Sequence, residues 1–195
     1  EMLIEKPDYI RGIFEIQTEI GIENLKLYRQ AVGDKIDVIV VSGTDFGSQR
    51  GPLISRSLFQ TLWMPFYKKI NDWIHSHTNW KTFYHSCGSI EMLMEDFIEC
   101  GIDIINPVQC SAAGMEPKNL KQKYGDRIVF WGGGVNTQYT LPFGTADEVK
   151  KESAERIEIF CKNGGYVFTT IHNIQANTPP ENVIAMFGAA VGNFF

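Results

Sequence analysis

The sequence lacks any run of about 18 uncharged apolar residues, the length a membrane-spanning helix requires, so no membrane association is expected. Its opening residues, Glu1-Met-Leu-Ile-Glu-Lys6, do not show the basic, apolar and small-residue succession of a secretory signal, and a cytoplasmic location is the expectation. Positive charge is in short supply: 18 Lys and Arg face 23 Asp and Glu, a formal balance of -5, and the cations are scattered instead of clustered. A basic face for nucleic acid is thereby not expected. Cysteine is sparse, and the four present (Cys87, Cys100, Cys110, Cys161) include no CxxC spacing. Neither a disulfide framework nor a zinc ribbon is indicated, and the thiols should be reduced. Low-complexity segments and linkers are also missing, so residues 1–195 read as one domain.

What is present is a hydrophobic fraction of 44%, enough to bury a substantial core. Residues 8–32 carry Ile10, Ile13, Phe14, Ile20, Leu25 and Tyr28 at helical spacing, with Gly33 placed to end a helix. The β-branched run 36–41 is too continuous for a half-exposed strand and predicts a parallel strand covered on both faces. Leu58, Leu62, Phe66, Ile70 and Trp73 predict a helix over 57–76, modestly kinked by Pro65. The alternation continues with a strand at 80–86, a helix at 89–100 closed by Gly101, a strand at 102–108, a short helix at 116–124 and a strand at 127–131. Thr145 and Glu148 fit a capping box opening a helix to about residue 163, residues 166–170 form a fifth strand, and Thr178-Pro-Pro-Glu181 opens a last helix over 179–191.

The unusual residues cluster just after the strands, where α/β folds carry their chemistry. The loop 42–51 offers Asp45 as a catalytic candidate, with His172 after the last strand as a second, and Gln49 and Arg50 as substrate-binding candidates, which Gln109 joins after the third strand. Asp103 and Glu116 are candidates for supporting these groups. His85 and Cys87, one residue apart at the end of the second strand, are soft donors able to hold Zn²⁺ if a third arrives, and His172 is a candidate for it. Cys110 is a further possible donor. Cys100 and Cys161 read as helix packing residues, and His75 and His77 as partners for the carbonyls ending a helix.

Five strands alternating with helices indicate parallel β/α units. A complete (β/α)8 TIM barrel takes about 250 residues, so this chain suits roughly the last five units of one. A free-standing open α/β sheet explains the strand count equally well.

Five segments narrow the choice: His85-Ser-Cys-Gly88, Asp103-Ile-Ile-Asn-Pro-Val-Gln109, Trp131-Gly-Gly-Gly-Val-Asn136, Gly164-Gly-Tyr-Val-Phe-Thr-Thr-Ile-His-Asn173 and Thr178-Pro-Pro-Glu-Asn-Val183. In this order they resemble the uroporphyrinogen decarboxylase superfamily, which also holds the cobalamin-dependent methyltransferases that pass a methyl group from a corrinoid protein to a thiol. The likeness covers nearly the whole chain and matches the carboxyl-terminal part of a (β/α)8 barrel. It implies an amino-terminal portion for which nothing here is a match, and hence two exposed sheet edges open to homodimerisation.

The resemblance implies two chemistries. In the thiol methyltransferases a zinc is held by His-x-Cys and a distant cysteine; that cysteine's place falls at His172, giving a His85, Cys87, His172 site with one open position. In the decarboxylases the late-strand histidine, again at His172, binds a substrate carboxylate and no metal is used. The His-x-Cys run favours zinc-dependent methyl transfer, with decarboxylation of uroporphyrinogen the alternative and a non-catalytic binding module the third reading.

Overall fold

Five strands, Val38–Ser42 (β1), Lys81–His85 (β2), Ile104–Asn106 (β3), Val129–Trp131 (β4) and Tyr166–Val167 (β5), form one parallel sheet in the computed structural model, which describes residues 2–191. The strands lie side by side in sequence order. A doubly wound open sheet reverses its strand order at a switch point, whereas a singly wound arc of a barrel does not, so the order decides for the barrel arc. Among the described residues β1 and β5 each pair on one side only.

The helices are Met2–Glu5 (α1), Pro7–Val32 (α2), Arg56–Leu62 (α3), Met64–His77 (α4), Met94–Glu99 (α5), Pro117–Tyr124 (α6), Thr140–Phe143 (α7), Ala146–Phe160 (α8) and Pro180–Val191 (α9). None of them is long and apolar enough to cross a membrane. The helix expected over 57–76 is two: Pro65 sits in the first turn of α4, and its missing N–H interrupts the ladder at Trp63. The capping box at Thr145 is present, with Glu148 N donating to Thr145 Oγ1 (3.3 Å) and Thr145 N to Glu148 Oε2 (2.8 Å).

The strand period of two separates the faces. Thr82, Tyr84 and Ser86 are buried toward the helices, while Phe83, His85 and Cys87 point to the concave side, with Ile104, Asn106, Val129 and Trp131 on the adjoining strands. Phe83 and Trp131 meet edge to face there, 5.4 Å between centroids. Beneath the helices, Phe46, Phe59, Phe97 and Tyr84 form one buried cluster; each such side chain stabilises by about 1.5–3 kcal/mol relative to exposure.

Two expectations need correction. β1 is not covered on both faces: Val40, on the concave side, is 69% exposed, because no strands face it across a barrel interior among the described residues. His75 does not serve a helix carbonyl but bonds Asp103 through Nε2 at 2.7 Å, whereas His77 does accept this role, its Nδ1 2.8 Å from the Trp73 carbonyl. Burial raises the Asp103 carboxyl, yet the Thr82 N–H and His75 outweigh it and hold Asp103 below the ordinary range.

A turn at Glu91–Leu93 follows the 86–89 loop, and Glu91 ties it to α6 by accepting from Lys123 Nζ (2.8 Å) and Tyr124 Oη (2.9 Å). The Lys123 bond is the main reason that the Glu91 carboxyl lies below its ordinary range. A depressed folded value means that the contribution is complete above the unfolded carboxyl range, about pH 4.3, and is lost as pH falls through the lower folded value. Glu91→Gln should be less stable than the parent at neutral pH by under about 1 kcal/mol, since Lys123 is half exposed, and should converge on it in acid. Denaturant unfolding at both pH values checks this; a gap that persists in acid counts against it.

Candidate functional site

The site is assembled by two loops that touch backbone to backbone. Phe46, buried among Phe59, Trp63 and Phe97, anchors the loop after β1. Its N–H donates to Ser86 Oγ (2.9 Å), Cys87 N donates to Asp45 Oδ1 (2.7 Å), and Ser89 N donates to the Ser48 carbonyl (2.8 Å). Gly47 and Gly88 face each other where these bonds close. A Cβ at Gly88 would lie 2.3 Å from the Gly47 carbonyl carbon, so the approach requires glycine.

The result is a trio. Asp45, His85 and Cys87 each present a donor atom, all within 4.8 Å of one another. His85 Nε2 is 3.3 Å from Cys87 Sγ and 3.8 Å from Asp45 Oδ1. Ligands around a tetrahedral zinc stand about 3.5 Å apart given its ordinary bond lengths, so the spacing fits that ion. Burial first, then the Asp45 carboxylate, pushes the Cys87 thiol up to about 11. A cation among the three relieves that opposition, since it stabilises thiolate and carboxylate together.

The other residues singled out from the sequence fall in different places. His172 stands beside the trio and not within it: its ring meets His85 edge to face at 6.3 Å, and its Nδ1 accepts the Asn173 N–H at 2.9 Å. The proton of its neutral ring is then on Nε2, which makes it a hydrogen-bond donor there. Gln109 is buried and its Oε1 accepts the Gly88 N–H at 2.9 Å, so it holds the Cys87 loop. Gln49 and Arg50 are exposed at the tip of the turn that the Ser48 N–H closes on the Gly51 carbonyl. Cys110 bonds the Val108 carbonyl and is raised to about 12, chiefly by burial; it does not join the trio. Cys161 is exposed at the end of α8, against expectation, because it follows the last buried residue of that helix, Phe160.

Sequence reasoning overlooked Asn106, whose Oδ1 lies 2.6 Å from His85 Nδ1. Its polar side chain at the end of a strand, next to the strand ending in His85, was the available signal. It likewise treated Asp45 as a catalytic candidate and not as a partner of His85 and Cys87.

A sequential parallel arc with its polar residues gathered on the loops at the carboxyl ends of its strands is part of a TIM-type (β/α)8 barrel. The model of the uroporphyrinogen decarboxylase (URO-D) family matches residues 1–192, and the chain belongs to that family. Two curated relatives differ in what they are named for. Uroporphyrinogen decarboxylase of Psychromonas ingrahamii is 29% identical over 85 residues, 42% of this chain and 23% of its own length. Methylcobamide:CoM methyltransferase MtaA of Methanosarcina barkeri is 25% identical over 187 residues, 95% of this chain and 50% of its own length. A methyltransferase structure from Methanosarcina mazei superposes with a TM-score of 0.73 at 26% identity, covering all of this chain and 52% of that one. The chain thus spans about half of the length of two of these proteins and less than a quarter of the third.

The loop contact makes a test by comparison of two glycines. Gly88 (φ +85°) and Gly164 (φ +79°) share the left-handed conformation, but nothing lies within 4 Å of a Cβ built at Gly164. Gly164→Ala should destabilise by about 1–2 kcal/mol from backbone alone, and Gly88→Ala by about 3 kcal/mol or more, since the clash adds to it. Urea unfolding reads both; equal losses would show that the loops are not in tight contact.

Proposed function

We propose that this chain is the metal-bearing part of a methyltransferase that moves a methyl group from a methyl-corrinoid, carried on a partner protein, to a small thiol substrate. The single observation that carries the reading is the convergence of Asp45, His85 Nε2 and Cys87 Sγ. The likeness to MtaA over 95% of the chain supports the same class of chemistry. Zinc would be held by His85, Cys87 and Asp45, with Asp45 taking the place that the resemblance gave to His172. Bound there, zinc would supply Lewis acidity that lowers the pKa of a thiol substrate.

The chain's own groups do the rest. Asp45 and a metal-bound Cys87 thiolate would bring two negative charges, the balance of a two-thiolate site with one carboxylate exchanged in. Cys87 would hold a cation as the thiolate, its proton released to solvent, and the bond from the Cys87 N–H to Asp45 keeps both donors on one side of the imidazole. His172 stands at the rim with Nε2–H as a donor for an anionic group of the substrate. The edges of β1 and β5, unpaired among the described residues, make pairing with another copy part of the same reading.

The 29% identity with a decarboxylase over 85 residues favours a second reading, in which His172 binds a substrate carboxylate and no metal is needed. Metal analysis after zinc loading and dialysis separates them. One zinc per chain is expected, with affinity lowered by more than about a hundredfold in His85→Ala, Cys87→Ser and Asp45→Asn, beyond what loss of an outer partner causes. His172→Ala should keep its zinc. A metal-free protein that binds porphyrinogen tightly would replace this reading with the decarboxylase, and one that binds neither would leave a binding module.

A further inference from the structure

The state of His85 is set from the neighbouring strand. Asn106, the last residue of β3, stands opposite His85 in the parallel register, its Oδ1 2.6 Å from His85 Nδ1. The amide has one workable orientation, because its Nδ2 lies 2.9 Å from the Trp131 carbonyl oxygen. A carbonyl only accepts, so Nδ2 must be the atom facing it, and Oδ1 is left facing the imidazole. An acceptor against Nδ1 requires the ring proton to be there. In the neutral ring the lone pair then sits on Nε2, the atom nearest Cys87 Sγ and Asp45 Oδ1.

We propose that Asn106 is a positioning residue for the metal site: the chain from the Trp131 carbonyl through the Asn106 amide to His85 Nδ1 holds the imidazole in one tautomer and aims its Nε2 lone pair between Cys87 and Asp45. The role in metal binding rests on the zinc reading; the control of the tautomer rests on the hydrogen bonds alone. Without the amide, the ring is free to place its proton on Nε2 and to turn about its side-chain torsions, and either change removes a donor from the trio.

The backbone beyond Asn106 supports the assignment. Val108, fully buried and β-branched, has φ +59°, a conformation sustained only where the surroundings over-determine it. The segment that carries this residue presents Asn106 to His85 on one side and Gln109 to the Gly88 N–H on the other. It thereby braces the ring of one donor and the loop of the next.

The test compares the parent with Asn106→Leu, which has no acceptor, and Asn106→Asp, which keeps one for His85 while losing the donor to Trp131. Long-range nitrogen–proton NMR correlations in the metal-free proteins, at a pH where the ring is neutral, read the His85 tautomer. Cobalt(II) titration followed in the visible spectrum reads affinity and thiolate ligation, and thermal unfolding reads the fold. The parent and Asn106→Asp should show the proton on Nδ1, and Asn106→Leu a mixture. Cobalt affinity should fall about 10–100-fold in Asn106→Leu and stay within about tenfold of the parent in Asn106→Asp. If Asn106→Leu does not fold, Asn106→Ala carries the same expectation. A folded Leu or Ala variant that keeps both the tautomer and the parent's affinity overturns the proposal. A parent that binds neither cobalt nor zinc overturns the zinc reading instead, and the NMR comparison still decides whether Asn106 sets the ring.

Discussion

The contact between Gly47 and Gly88 is the constraint on which the site depends. Asp45 and Cys87 are 42 positions apart in the chain, yet a main-chain N–H of one donates to the carboxylate of the other. That bond is possible because two loops meet without side chains between them, at a separation no Cβ allows. Their approach is in turn fixed by Phe46, whose ring belongs to the core cluster and whose N–H belongs to Ser86. Hydrophobic burial behind the sheet thus determines the position of a carboxylate in front of it, and the donors are placed before any ligand arrives.

Preplacement has an electrostatic consequence. Three donors face one another, and the carboxylate works against ionisation of the thiol that burial already disfavours. Asn106 keeps the neutral ring's lone pair on the same side. The donors are held in place by packing, and such preorganisation is the condition under which a binding site gains affinity for a cation.

How much of this was legible in the sequence follows from the range of the interactions. Helix limits set by local chemistry, such as Thr145 with Glu148, were readable, and so was the parallel alternation. The break at Trp63 was underestimated because a kink and a break begin with the same missing N–H of Pro65, and tertiary packing decides between them. His85 and Cys87 stood out as neighbours in sequence. Their third companion did not: Asp45 and His172 both lie just after strands, and only the three-dimensional path of the 45–48 loop brings Asp45 in and leaves His172 alongside. Asn106 was hidden for the same reason, since its role comes from strand register and sequence gives no register between parallel neighbours.

The concave face and the open edges of the sheet are one property, not two. Val40, Phe83, Val129, Trp131 and Val167 line the side that in a closed barrel is filled by side chains from facing strands. In a closed barrel the strands that continue from the edge of β1, unpaired among the described residues, curl round to bring side chains over Val40, so the hydrogen-bond ladder and the cover of the apolar face are completed together. The trio lies at the upper rim of this face, with Asp45 half exposed and His85 about one third exposed. Closure would take water from the side of the site that now faces solvent. Coulombic interactions strengthen as the effective dielectric falls, so a cation held by the trio, as proposed, would be bound more tightly once that face is covered.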